Sequence, residues 1–145
     1  MGRYALVGLA IVLASSLFWW VIQPEQVSDP EMVSGESPGA PMVEVVVPET
    51  FSANAKIGQR AFDTKCADCH GANAAGQEGV APPLVHKIYE PSHHGDQSFL
   101  LAAKNGVRAH HWKFGNMPAV DGLTDGDVKM IIAYVRELQR ANGIN

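Results

Sequence analysis

Hydrophobic and polar positions divide the chain of 145 residues into three stretches with different patterns. Residues 5–22 carry no charged side chain, and residues 23–50 mix acidic side chains with five prolines. From residue 51 to residue 145, apolar positions recur at the three- and four-residue spacing of helices. We therefore predict an N-terminal membrane segment over 1–22, a flexible linker over 23–50 and one small helical domain over 51–145.

The first stretch, ALVGLAIVLASSLFWWVI, is eighteen residues long, which is just enough for a helix to cross the core of a bilayer. Arg3 precedes it and acidic residues follow it, so the positive-inside tendency predicts a cytoplasmic N-terminus and an exported remainder. A secretory signal cleaved near residues 14–16 is the alternative, and it predicts export as well. Because the apolar run continues through residues 17–20, an uncleaved transmembrane anchor is favoured.

Negative charge is concentrated in the linker. Between residues 23 and 55 there are six acidic side chains and no Lys or Arg, whereas residues 51–145 carry nine acidic and ten basic side chains. The formal net charge of −4 therefore comes mainly from the linker. Because the domain has no basic stripe with interleaved aromatic residues, nucleic acid is excluded as a partner.

Three helices are predicted in the domain, and long loops separate them. The first begins after Asn54 as N-cap and runs into the two cysteines, while the second begins at residues 96–98 and ends at Gly106. The third begins at Thr124, which forms an acidic version of a capping box with Asp127. One apolar stripe runs along this third helix: Val128, Ile131, Ile132, Val135 and Leu138. A fold with so few helices and such long loops has a poor core unless it encloses a large apolar cofactor.

The two cysteines of the chain lie in the segment CADCH, residues 66–70. Cys66, Cys69 and His70 form the C-x-x-C-H signature of haem c attachment, in which two thiols reach the two vinyl groups of one porphyrin and the histidine reaches the iron. A thioredoxin-like redox pair would need a strand before the cysteines, and a structural zinc site would need two more ligands from the scattered histidines. Covalent haem c, with His70 as an axial ligand of its iron, is therefore the favoured interpretation.

The second ring nitrogen of His70 also needs a partner. A histidine on iron usually donates this nitrogen's proton to a backbone acceptor, which fixes the ring and tunes the metal. The segment APPL, residues 81–84, lies in the loop that follows His70. We expect the carbonyl oxygen of Pro82 to accept this hydrogen bond.

The domain resembles the class I c-type cytochromes over residues 54–141. The shared features follow one another in the family's order: Gly58 and Phe62 before C-x-x-C-H, a loop with Pro-Leu, a Met-Pro pair, and the helix LTDGDVKMIIAYV. This resemblance implies a cytochrome c-like all-α domain wrapped around one covalently bound haem c, with Gly58 letting the last helix cross the first closely. It also implies that Met117, which precedes Pro118, is the distal iron ligand; a histidine–methionine pair raises the reduction potential.

Five histidines besides His70 are more than an electron carrier needs: His86, His93, His94, His110 and His111. The first interpretation is that they bond to the backbone, to haem propionates or to water, with Trp112 and Phe114 as walls of the haem pocket. A second hypothesis is another metal site, with copper as the metal and ligands drawn from His93, His94, His110 or His111. In a third, His110 or His111 displaces Met117 and gives a bis-histidine haem.

The resemblance and the predicted anchor together imply a membrane-tethered, single-haem electron carrier of a respiratory chain. The haem domain is expected in the periplasm, on the outer face of a bacterial inner membrane. A quinol-oxidising complex or a dehydrogenase is the expected electron donor, and a terminal oxidase or reductase the expected acceptor. Because both axial positions of the iron are filled, no enzyme activity is expected. The alternatives are a haem c subunit fixed within a larger oxidoreductase and a copper-handling or sensor module.

Overall fold

Four helices make up the main regular structure of residues 39–145, the part of the chain that the computed structural model describes. They are α1 (Ala53–Lys65), α2 (Ala67–His70), α3 (Asp96–Asn105) and α4 (Asp125–Ala141). Single turns of 3-10 helix at Ala72–Ala74 and Lys87–Tyr89 interrupt the loop between α2 and α3, which the sequence predicts to be irregular throughout. No strand forms within the described range, and the all-α prediction is confirmed for the domain.

The predicted anchor at 1–22 and the first part of the predicted linker, residues 23–38, lie outside the described residues. Within residues 39–145, no helix combines the length and the hydrophobicity needed to cross a membrane.

Residues 39–50, the last part of the predicted linker, lie against the helical domain. The backbone N–H of Met42 donates to the carbonyl oxygen of Ala75 at 3.1 Å. Val46 exchanges two hydrogen bonds of 2.8 Å with the side-chain amide of Asn142, and Val45 packs on the hydrophobic core. This segment therefore differs from the predicted flexible linker, because its backbone and the Val45 side chain find partners that are distant in the sequence.

Helix α1 begins two residues earlier than its sequence suggests. Its N-cap is Ser52 and not the predicted Asn54, since the Ser52 hydroxyl oxygen accepts the backbone N–H of Ala55 at 3.2 Å. The same hydroxyl donates to a carboxylate oxygen of Glu137 on α4 at 2.6 Å, and the Ser52 backbone N–H donates to the other oxygen at 3.1 Å. A contact with α4 thus selects the N-cap, which local propensity alone does not reveal.

Helix α4 begins as its sequence predicts. The Asp127 carboxylate accepts the Thr124 backbone N–H at 2.8 Å, and the Thr124 hydroxyl accepts the Asp127 backbone N–H at 3.2 Å, which completes the capping box. These hydrogen bonds to Thr124 hold the pKa of the Asp127 carboxyl below its ordinary value. All five residues of the predicted apolar stripe are buried, so the periodicity identifies the core face correctly: Val128, Ile131, Ile132, Val135 and Leu138.

Helices α1 and α4 cross in direct backbone contact at Gly58. A Cβ atom on Gly58 would lie 1.8 Å from the carbonyl oxygen of Met130 and 2.8 Å from the backbone nitrogen of Ile131, so no larger residue fits there. Beside this crossing, the fully buried rings of Phe62 and Tyr134 lie 5.5 Å apart in a tilted arrangement. The close approach that the family resemblance implies for Gly58 is present, and it forms the centre of the core.

Candidate haem site

A cavity of about 610 Å³ opens beside the α1–α4 pair, and mainly apolar side chains line it. Its size falls within the range of about 300–1,000 Å³ that is typical of cofactor and ligand sites. The structure brings all five predicted site residues to its wall, although they come from three separate parts of the chain: Cys66, Cys69, His70, Pro82 and Met117. Trp112 and Phe114 line it as well.

The end of α1 and the short helix α2 position the two thiols and the imidazole. The Cys66 backbone N–H donates to the carbonyl oxygen of Phe62 at 2.8 Å, and the His70 N–H donates to that of Cys66 at 2.8 Å. One continuous turn of chain therefore carries Cys66, Cys69 and His70 to the cavity wall.

The environment of Cys66 argues against the two alternative uses of the cysteines. Burial, with a smaller contribution from neighbouring Cys69, raises the pKa of the Cys66 thiol to about 11. A thioredoxin-like nucleophile has a lowered thiol pKa, and here the pKa moves the other way. Neither cysteine belongs to a group of three potential metal ligands among residues 39–145, so the zinc hypothesis lacks its further ligands there.

His70 is held as a neutral imidazole with one nitrogen occupied. The residue is 8 % exposed, and Nδ1 lies 2.8 Å from the carbonyl oxygen of Pro82, which accepts its proton. Burial lowers the pKa of His70, and the hydrogen bond to Pro82 opposes this shift less strongly. A neutral ring that donates through Nδ1 keeps the lone pair of Nε2 for a metal, which is the usual arrangement of a metal-bound histidine.

Met117 belongs to a loop whose base is closed by hydrogen bonds. Val107 and Met117 exchange two backbone hydrogen bonds of 2.9 Å each. Gly106, at φ +74°, ends α3 and lies so close that a Cβ atom there would be 2.5 Å from the Met117 carbonyl oxygen. The backbone N–H of Val120 donates to Ala103 on α3 at 2.8 Å. These contacts fix the half-buried Met117 side chain at the cavity wall.

Trp112 brings a polar atom to this largely apolar wall. Its ring stacks on Phe114 with centroids 5.8 Å apart, and its Nε1 is buried without a well-formed hydrogen bond among the described residues. Burial raises the pKa of the neighbouring Tyr89, and the Trp112 side chain opposes that shift. A buried N–H donor at the wall suits a cofactor with an apolar body and a few acceptor groups, which describes a porphyrin with propionates.

Two buried polar residues of α4 that the sequence pattern did not predict as site residues hold the loop that follows Pro82: Arg136 and Gln139. Arg136 Nη1 donates to the Tyr89 carbonyl oxygen at 2.7 Å and Nη2 to that of His94 at 2.5 Å. Gln139 Nε2 donates to the carbonyl oxygen of Leu84 at 2.8 Å. Arg136 and Gln139 follow buried Ile132 at four- and three-residue steps. This helical spacing indicates from the sequence that both side chains face inward.

The extra histidines separate into two groups. The His86 ring lies 5.3 Å from the Trp112 ring, and its Nδ1 accepts the backbone N–H of Ile88 at 3.2 Å. The other four gather at the rim of the cavity: His93, His94, His110 and His111. Of these, all but His93 also line the cavity.

Comparison with known proteins identifies the family. The cytochrome c family model matches residues 55–139. The chain is similar to the cbb3-type cytochrome c oxidase subunit CcoP of Azospirillum brasilense, with 36% identity over 61% of this chain and 30% of that protein. It is also similar to the subunit of the same name from Rubrivivax gelatinosus, with 33% identity over 77% of this chain and 36% of that protein. The chain thus spans about a third of the length of these relatives. Because the family match covers the helices and the C-x-x-C-H segment that line the cavity, the chain belongs to the class I c-type cytochromes and takes covalently attached haem c as its cofactor.

Proposed function

We propose that the protein is a one-electron carrier of a respiratory chain, tethered to the outer face of a bacterial inner membrane by residues 5–22. The convergence of Cys66, Cys69, His70 and Met117 on one cavity is the observation that carries the proposal. Haem iron supplies reversible one-electron chemistry when it is bound. The domain that holds it would lie in the periplasm, and the acidic stretch at 23–38 would connect it to the anchor.

Each site residue has a distinct role in this proposal. Cys66 and Cys69 would hold the haem through thioether bonds. His70 and Met117 would be the axial ligands of the iron, and the hydrogen bond to Pro82 would keep the His70 ring in its ligating orientation. Two protein ligands leave no open position for a substrate, so this arrangement favours electron transfer over catalysis. The apolar cavity wall would exclude water and stabilise the iron–methionine bond.

The relatives support a terminal oxidase as the electron acceptor, since both are subunits of cbb3-type cytochrome c oxidases. A quinol-oxidising complex or a dehydrogenase would be the donor. Residues 51–145 carry nearly balanced charge, so electrostatic steering toward these partners would be weak. A membrane tether would offset this by raising the effective concentration of the carrier near membrane-bound partners.

A haem c subunit fixed within a larger oxidoreductase is the second candidate, and the names of the relatives favour it directly. The two candidates differ in how the protein behaves after extraction from its native membrane. A mobile carrier should migrate alone during size-exclusion chromatography in mild detergent, whereas a fixed subunit should comigrate with other chains. The haem absorbance of the fractions identifies the protein in either case.

The spectrum of the full chain tests the site directly. Ferric haem c with a methionine ligand has a weak far-red absorption band, and we expect this band in the oxidised protein. Met117→Ala should abolish the band and lower the reduction potential, because the thioether stabilises ferrous iron. Met130→Leu is the matched control, since Met130 lies on α4 and is not part of the cavity wall. A band that survives Met117→Ala would refute this ligand assignment, as would a parent spectrum of bis-histidine type.

A further inference from the structure

Three histidines outside the proposed iron site form a group with the dimensions of a metal site. One ring nitrogen from each of His93, His94 and His111 lies within 4.8 Å of the other two, which is a separation that a single bound ion can bridge. The ring centroids of His93 and His94 are 4.7 Å apart, and those of His94 and His111 are 5.1 Å apart. His110 adjoins the group, with its ring 4.3 Å from that of His111. The sequence brings these rings together only as two adjacent pairs, and the fold joins the pairs.

The central ring of this group is oriented in advance. Nδ1 of His94 lies 2.6 Å from the carbonyl oxygen of Ile88, which accepts its proton and leaves the lone pair on Nε2. The backbone of His94 is itself held by Arg136, which donates to its carbonyl oxygen. Arg136 is buried and anchored by Asp96 at 2.9 Å, so the support reaches back to α4 and α3. A bound histidine in a metal site usually has this kind of second partner.

The chemistry of the three side chains limits the choice of metal. No carboxylate joins the three imidazoles within the described residues, so the donor set consists of nitrogen alone. Mg²⁺ and Ca²⁺ prefer oxygen ligands and do not fit such a set.

We propose that His93, His94 and His111 bind one first-row transition-metal ion at the rim of the haem cavity, and that Cu²⁺ binds there more tightly than Zn²⁺. Imidazole suits both ions, and the affinity of nitrogen ligands for divalent metals reaches its maximum at Cu²⁺. His110 lies close enough to His111 to contribute a further ring, but its Nδ1 is 2.9 Å from the carbonyl oxygen of Arg108 and it falls outside the compact group of three. The ion would be a second metal of the protein, distinct from the haem iron.

A metal titration of the haem-loaded full chain in detergent tests this site. The protein is first stripped of loosely bound metal with a chelator and then titrated with Cu²⁺ or Zn²⁺ against a chromophoric competitor. We expect one ion per chain, a higher affinity for Cu²⁺, and nitrogen hyperfine structure in the electron paramagnetic resonance spectrum of the copper form. Loss of a supporting partner typically weakens metal binding by about 10- to 100-fold, so loss of a ligand should exceed that range.

Two matched variants locate the ion. His93→Ala combined with His111→Ala should remove the site without opening the core, because both side chains are exposed. His86→Ala should leave binding unchanged, since His86 packs on Trp112 outside the group. The haem absorption spectrum of each variant verifies that the domain has folded. The proposal is wrong if the parent holds iron alone after equilibration with both metals, which would leave the histidines to bond haem propionates or water. It is also wrong if the double variant binds the ion as tightly as the parent.

Discussion

The two walls of the haem cavity are built in different ways. On one wall, Cys66 and His70 are positioned by hydrogen bonds within a single helical turn, and Pro82 follows twelve positions later. On the other wall, the loop that carries His94 is held by Arg136 and Gln139, which contact it across 42 to 55 positions of sequence. The first wall is therefore specified locally, and the second by tertiary packing. Substitutions should accordingly abolish cofactor attachment at the first wall. At the second wall they should lower stability and weaken the proposed metal site.

The largest effect is expected for the cysteines of the locally built wall. Replacing both Cys66 and Cys69 by alanine should eliminate covalent haem, because no thiol remains to form a thioether. The mass of the denatured protein, or haem staining after denaturing electrophoresis, measures attachment. His110→Ala with His111→Ala is the control at the histidines of the cavity rim and should retain covalent haem. Covalent haem in the double cysteine variant would contradict the assignment.

The crossing of α1 and α4 at Gly58 should be the next most sensitive point. Gly58→Ala would place a Cβ atom 1.8 Å from the Met130 carbonyl oxygen, so the helices must separate. We expect a loss of about 3 kcal/mol in the free energy of unfolding, near the upper end of typical overpacking costs. Denaturant unfolding of the haem-loaded protein measures it.

Gly126 on α4 is the matched control for this substitution. A Cβ atom there would meet only the Thr124 hydroxyl at an ordinary 3.5 Å. Gly126→Ala should therefore stabilise the protein by about 0.5–1 kcal/mol, as is usual for this change within a helix. Equal effects at the two glycines would show that the close crossing does not determine stability.

Arg136→Met tests the tertiary support of the second wall. The substitution leaves the carbonyl oxygen of His94 without its donor, at a cost of about 1–3 kcal/mol in stability for an unsatisfied buried group. The carbonyl oxygen of Tyr89 loses one of two donors and keeps Gln139. The freed Asp96 is largely exposed and adds little to this cost. The proposed copper affinity of the histidine group should fall as well, whereas covalent haem attachment should not change.

Arg140→Met provides the comparison for Arg136. Arg140 is exposed and lies 4.0 Å from Glu137, a surface pair that contributes about 0–1 kcal/mol. Its substitution should change neither unfolding nor metal binding measurably. If Arg136→Met also changes neither property, the loop that carries His94 does not depend on its hydrogen bonds to Arg136.

The difference between the walls also explains what could be predicted from the sequence. The C-x-x-C-H segment and the capping box at Thr124 involve residues within a few positions of each other, so pattern and spacing reveal them. The N-cap at Ser52 depends on Glu137 of α4, 85 positions away. The packing of residues 39–50 depends on Ala75 and Asn142, which are also distant in the sequence. Spacing carries no information about such pairs. For the same reason the sequence indicates four candidate histidines for a second metal, and only the fold separates three of them as a group.

The smallest destabilisation that we predict concerns the capping box at the start of α4, the helix on which Arg136 and Gln139 lie. Thr124→Ala removes the hydroxyl that accepts the Asp127 N–H, and N-cap losses of this kind cost about 1 kcal/mol. Because the folded-state pKa of Asp127 is lowered, its contribution to stability is present above the unfolded pKa and is lost as pH falls through the folded pKa. The difference in unfolding free energy between parent and Thr124→Ala should therefore be larger at neutral pH than in acid. Denaturant unfolding at several pH values measures this difference, and a constant difference across the acid range would show that Asp127 does not act through the cap.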